Sequence, residues 1–414
     1  MGRNPRNHYN AAMKRQRNPL RGKMPRDSER LVTLALCLDA SSSRVEDIFW
    51  ERELDTLLTR QLRTGNDTAV DAALDHLITV GGGVYGIFAD QCESVAESQT
   101  ATHDGVEHDL LLVGAPILAW TRYAIPSGSL RPADAEVLRV HLGAHVLAAD
   151  ARFFLAPWLF SLEQIPQTLA ATFALTRKLG NAALAGSVPR LDLDDAPETA
   201  PLLADSRFLI AGVAVPRGKA IFRWQETPES GDPVTRAQCL DHWNAQVRPN
   251  ITPLLPSCGF DLLLPDAFYA SLHSSDRRIR PYSIKASAAH LDDAMKLEPS
   301  RVRAVIAGVG DKGIDEYRIG FSAKDDDTVL HGVVWPLYGD EDIAPDDETG
   351  LDAPQIEDIG AVLKEAGITD MHVLPGMHLP EFCDDCGAPL YPDANGDFVH
   401  AEAPESAGKP SHFH

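Results

Sequence analysis

The chain has 414 residues, of which 44% are hydrophobic and 24% charged, the balance of a folded protein with roughly two to four packed units rather than one small core. Its formal net charge of −22 makes the body a poor partner for nucleic acid or an anionic membrane. Six cysteines are too few and too scattered for a disulfide scaffold, so the composition points to a reducing, cytoplasmic setting.

Residues 1–26 depart from that balance. They hold Arg3, Arg6, Lys14, Arg15, Arg17, Arg21, Lys23 and Arg26 and no acid, which reads as a disordered basic arm. Such an arm suits weak, salt-sensitive contact with RNA or DNA, or contact with a protein, although Tyr9 and His8 offer few stacking faces; a merely solubilising tail is the equal alternative. No apolar core of a secretory signal follows it. The longest nearly apolar run, 110–120, is far short of the about 20 residues a membrane span needs, and reads as a buried strand.

From Asp27 to about 100 the period is helical. Leu31, Leu34, Ala35 and Leu38 mark one stripe, and Ser43 with Glu46 signals the start of a long helix to Arg63. That helix places Val45, Phe49, Leu54, Leu57, Leu58 and Leu62 near one face. Asn66 and Asp67 offer a cap for a third helix over 69–79. Gly81-Gly82-Gly83 reads as a turn before a fourth helix over 84–97, because a phosphate loop would need a strand before it and a lysine after it.

Past a polar linker at 98–109 the pattern becomes α/β. Strands ending in Pro116, Pro216 and Pro336 are each followed by a helix and a second strand ending in Pro157, Pro265 or Pro375. These predict three strand–helix–strand units in mixed sheets, over 105–200, 203–300 and 301–380. Helices are expected at 132–149, 235–247 and 354–366, with Gly367 closing the last. A β-meander at 302–308, 316–321 and 329–335 introduces the third unit, and an acidic loop occupies 340–352.

Residues 381–414 carry the sharpest chemical signal. Cys383-Asp384-Asp385-Cys386-Gly387 is a C-x-x-C-G knuckle, a spacing that lets two thiolates approach one tetrahedral ion. The segment from Tyr391 to Val399 reads as a hairpin that returns His400 to the same place. The predicted ligands of a structural zinc are thus Cys383, Cys386 and His400. His412 is the fourth, His414 its equal alternative, and His378 a weaker one. A redox dithiol would instead follow a strand and open a helix, and this segment looks helix-poor.

Three other groups call for a reading. His141 and His145 share a helix face, but no Glu completes an H-E-x-x-H pattern, so they are expected to be core or surface histidines. Arg277, Arg278, Arg280 and Lys285, with Tyr282 among them, form a basic cluster able to grip a phosphate or carboxylate. The alternative is neutralisation of the chain's own acids, such as Asp276, Asp292 and Asp293. Serine-nucleophile, dinucleotide-binding and Walker motifs are missing, and the abundant carboxylates single out no acid–base pair, so no catalytic residue is assigned.

The stretches Asp27-Ser28-Glu29-Arg30-Leu31, Ser43-Arg44-Val45-Glu46-Asp47, Ile125-Pro126-Ser127-Gly128, Phe222-Arg223-Trp224-Gln225-Glu226, Arg277-Arg278-Ile279-Arg280-Pro281-Tyr282-Ser283 and Cys383-Asp384-Asp385-Cys386-Gly387-Ala388-Pro389-Leu390 resemble an uncharacterised bacterial family of domains of unknown function. The resemblance spans 27 to about 405. It implies a Gram-negative, cytoplasmic origin and no known catalytic residues. Together these observations favour a zinc-containing binding or scaffold protein that contacts nucleic acid or protein. The alternative is an enzyme or small-ligand binder that recognises an anionic metabolite at the 277–285 cluster.

Overall fold

The computed structural model describes residues 24–402, apart from 66, 192, 194–195, 200–201, 228–231, 312, 339–340 and 342–353. The basic arm through residue 23, most of the acidic loop, and both His412 and His414 lie outside the described residues. The architecture is mixed α/β, with a helical N-terminal unit followed, among the described residues, by two larger sheets and two two-stranded ones.

The helical unit contains α1 (Arg26–Asp39), α2 (Arg44–Arg63), α3 (Thr68–Val80) and α4 (Val84–Glu97). Ser43 caps α2 as its spacing predicts, accepting from the Glu46 N–H at 3.3 Å. Leu31, Leu54, Leu58, Val70, Leu77 and Phe88 fill the space between the helices. The apolar stripe expected on α2 is split: Leu54, Leu57, Leu58 and Leu62 are buried, but Val45 is 81% and Phe49 54% exposed. Periodicity identifies a face without saying how far along the helix a neighbour covers it. The Gly81-Gly82 turn takes positive φ at both residues, which glycine adopts without strain.

The stretch expected as a linker is ordered. β1 (Ser98–His103) forms a hairpin with β2 (Val106–Trp120), turning through Asp104 and Gly105, both at positive φ. A D-G pair is the standard two-residue hairpin signal, and it was readable between the two strands.

The first two predicted strand–helix–strand segments interlock rather than stand side by side. They are β2, α5 (Pro132–His145) and β4 (Arg152–Leu155), then β6 (Ala204–Pro216), α7 (Arg236–Ile251) and β7 (Gly259–Leu262). β2 and β6 run antiparallel from His108↔Pro216 to Trp120↔Ala204. β4 then adds to β6, and β7 adds to β2, so each segment's second strand completes the other's first. The short strands β3 (Gly128–Ser129) and β5 (Trp158–Leu159) pair with each other, and β8 (Asp266–Ala267) extends the β2 edge.

Both faces of this sheet are covered, which is why β6 shows no polar alternation and is buried nearly throughout. On one side Val113, Ala115, Leu209 and Val213 meet Leu138 and Leu142 of α5 and Trp243 and Val247 of α7. On the other, Leu112, Phe208 and Ile210 meet Leu179 of α6 (Leu169–Ala185) and Phe268 and Leu272 of α8 (Phe268–Met295). Each such side chain contributes about 1.5–3 kcal/mol on full burial.

The second sheet has the order β11-β10-β9-β12. Here β9 (Val302–Val309), β10 (Glu316–Ala323) and β11 (His331–Pro336) form the predicted meander, while β12 (Asp370–His378) follows α9 (Pro354–Glu365) and joins β9 in parallel. The two strands of the third predicted segment are therefore separated by β10 and β9, a pairing unlike that of the first two. Helix α8 joins the layers. Its first turns pack in the first sheet's core, and Ile284, Ala288 and Leu291 pack in the second's.

Candidate metal centre

The last described residues fold onto the second sheet. β13 (Tyr391–Pro392) and β14 (Phe398–Val399) pair antiparallel. The Asp393 carboxylate closes their turn by accepting the N–H groups of Asn395 and Asp397, both at 2.9 Å. The hairpin lies so close to the sheet that only glycine fits beneath it. A Cβ at Gly320 would stand 2.2 Å from the Pro392 carbonyl oxygen, and one at Gly332 2.3 Å from the Tyr391 ring.

Arg318 of β10 holds the neck of this segment. Its guanidinium donates to the carbonyls of Glu381, at 2.5 Å, and Leu390, at 2.8 Å, and stacks 4.9 Å from the Phe382 ring centre. Glu316 balances it through a fully buried ion pair at 2.9 Å. Glu381 and Leu390 are also bonded to each other, so one side chain ties together the two ends of the knuckle.

Within the knuckle the Cys383 N–H donates to Ala388 O and the Gly387 N–H to Cys383 O, both at 2.8 Å. Gly387 takes a φ of +72°, the conformation that lets the chain reverse behind the second cysteine. The N–H groups of Cys386 and Asp385 then face the Cys383 sulfur and, with the Cys386 side chain, hold its thiol below the usual range. Thiolate is the ligating form.

The hairpin brings His400 back to the knuckle, with Nε2 3.3 Å from the Cys386 sulfur. The ligand atoms of Cys383, Cys386 and His400 all lie within 4.8 Å of one another. Two sulfurs bonded to one tetrahedral ion at 2.3 Å would stand roughly 3.8 Å apart, so the group is compatible with metal binding. Soft sulfur with imidazole suits zinc-like ions over magnesium or calcium.

The other predicted ligands stand elsewhere. His378, at the end of β12, packs against the Phe398 ring with centroids 5.2 Å apart. Its Nε2 is buried without a hydrogen-bond partner among the described residues, and it is not one of the converging group. His412 and His414 fall outside the described residues. Among those described, the group has three ligands.

The basic cluster lies on α8 and does not converge. Arg280 is buried between the rings of Trp335 and Tyr338, at 5.0 and 5.8 Å, and donates two bonds to the Glu341 carboxylate. Lys285 pairs with Glu365 at 2.9 Å, and Arg277 reaches the Tyr338 carbonyl at 3.5 Å, while Arg278 is exposed. Glu341 and Glu365, distant in sequence, engage this cluster, whereas Asp293 pairs with Arg122.

Fold and site together define, among the described residues, an α/β protein with a helical N-terminal unit, two larger sheets and a Cys/His group docked on the second of them. The chain belongs to the family described as proteins of unknown function, DUF2863, which matches residues 16–414. No curated protein and no solved structure matches it. No helix among the described residues is long and apolar enough to cross a membrane.

Proposed function

We propose that this is a zinc-containing binding protein of the cytoplasm, in which a structural ion closes the Cys383/Cys386/His400 knuckle and the N-terminal arm contacts nucleic acid. The observation that carries the reading is the convergence of three ligand atoms of the right chemistry within 4.8 Å. A reducing compartment suits it, since all six cysteines are free thiols. A fourth ligand, for which His412 is the first candidate, would complete a closed site with a structural role, as filled tetrahedral positions leave none for substrate.

Metal content of the full-length protein, measured by elemental mass spectrometry, tests the reading. About one zinc per chain is expected, lost in the double variant Cys383→Ser, Cys386→Ser and retained in His378→Ala. Protein without metal, with both thiols freely titratable, would refute it. For the arm, the expected result is RNA binding at low salt that weakens steeply as salt rises and disappears on removal of residues 1–23. Equal binding by the truncated protein would rule the arm out.

A further inference from the structure

The seam between α5 and α7 holds a cationic group that the metal centre does not use. His141 and His145 lie one turn apart on α5 with stacked rings 5.6 Å between centroids, and His242 of α7 stands 6.1 Å from His145. Arg223 arrives at the same end of α5. Its N–H donates to Val146 O at 2.9 Å, and neighbouring Phe222 bridges to Leu147.

The Arg223 side chain donates no hydrogen bond and pairs with no carboxylate among the described residues, although its Nε is buried. The fully buried Arg207 is engaged by contrast, donating to Asp205 and to the carbonyls of Ile125, Pro126 and Ser206. A buried Nε–H left unfilled is costly, and an oxyanion that bridges it to a more accessible nitrogen of the same guanidinium fills such a fork well. Among the described residues of the loop, the Glu226 carboxylate is engaged with the Ala149 N–H at 2.8 Å. Arg236, further along, is committed to Asp266 and to the Trp224 ring.

We propose that the α5–α7 seam binds a phosphate group, free or on a small phosphomonoester, with Arg223 gripping two oxygens and His145 donating between His141 and His242. A metal ion is the other ligand that three imidazoles suggest, but the Arg223 charge opposes it. The electrostatics agree. Burial first, then the charges of His141, His242 and Arg223, hold the His145 ring below its ordinary range. Every charge acting on that ring is cationic, so a bound dianion removes a repulsion instead of adding one. The site is independent of the knuckle.

The test uses the full-length chain as purified, with any knuckle metal retained, titrated at pH 6.5 with inorganic phosphate and separately with glycerol phosphate. Thermal unfolding and the histidine ring-proton signals are followed together. A saturable rise in Tm is expected, with shifts confined to the signals lost in His141→Ala, His145→Ala and His242→Ala. Arg223→Gln should raise the half-saturating concentration about tenfold or more, and Arg223→Lys less, since it keeps charge without the fork. Tighter binding of the ester than of free phosphate identifies a metabolite site, and the reverse identifies a phosphate site. Superimposable titrations of wild type and Arg223→Gln overturn the proposal, as does Ni²⁺ binding by the three histidines without any response to phosphate. Should Arg223→Gln fail to fold, the exposed His242 gives a second variant that carries the same test.

Discussion

Arg318 has no solvent exposure, and its guanidinium contacts join β10 to the neck of the knuckle. Replacing it with methionine keeps volume but strands the buried Glu316 carboxylate without its arginine. An uncompensated buried charge of this kind costs about 3–5 kcal/mol. Arg318→Met should therefore lower the urea midpoint sharply at constant slope, and adding Glu316→Gln should restore part of the loss. An unfolding free energy within about 0.5 kcal/mol of wild type, the usual range for a surface mutation, would show that the pair does not hold the neck. A second buried acid behaves differently. Glu97 accepts from the Tyr269 N–H at 2.7 Å where α8 begins, yet burial pushes its carboxyl up to about 7, with Glu93 and Asp266 adding to the rise. The unfolded chain ionises first, near 4.5, so stability falls as pH rises from there to about 7 and stays reduced above it. The loss is at most about 3 kcal/mol. Glu97→Gln keeps an acceptor for Tyr269 without the charge, so its Tm should exceed that of wild type at pH 8 and match it near pH 4.5. A constant difference at both pH values would mean that Glu97 ionisation is not the cause.

Helix ends show how sequence signals are honoured or diverted. Ser43 caps its own helix as expected, but Asp67, which precedes α3, accepts the Ala170 N–H at 2.9 Å and so caps α6. Thr168 satisfies the next donor of that helix, Ala171. Asp67→Ala should cost about 1 kcal/mol in denaturant unfolding, with Asp67→Asn costing less because the acceptor remains. No change in midpoint would make Thr168 sufficient alone. A local reading could find a cap residue but not that its helix lies 100 residues away. The same limit explains α8, the main element missing from the sequence reading. Pro281 suggests a break at the basic cluster, since proline removes the N–H that would bond Arg277 O. In the structure Arg280 Nε donates to that carbonyl at 3.0 Å, and the helix continues. The meander, α5, α7, α9 and the knuckle were legible because each carries its signal within a dozen residues. For the same reason the partners of Arg280 and Lys285 were not, since Glu341 and Glu365 meet them only through the packing of the second sheet on α8.

At the scale of the molecule, the three strand–helix–strand segments have similar patterns, yet two share a sheet by exchanging their outer strands and the third belongs to another. Pairing partners are chosen by tertiary packing, which periodicity does not encode. The consequence is a division of stability. β2 and β6 are covered on both faces by α5, α7, α6 and α8 and should open only with the whole protein. The second sheet receives its hairpin cover through Arg318, two glycines and the knuckle, so part of its integrity depends on whatever closes Cys383, Cys386 and His400. If that is a zinc ion, metal binding is linked to the folding of this layer. Hydrogen exchange before and after chelation measures the linkage. Loss of protection is expected over 381–400 and in β10 and β11 beneath the hairpin, while β2 and β6 exchange as before. Uniform loss across both sheets would mean that the layers unfold together and that α8 transmits the change from one to the other. Unchanged protection at 381–400 would mean that Arg318 and the glycine-lined contacts hold the segment without metal, removing the structural role assigned to the ion.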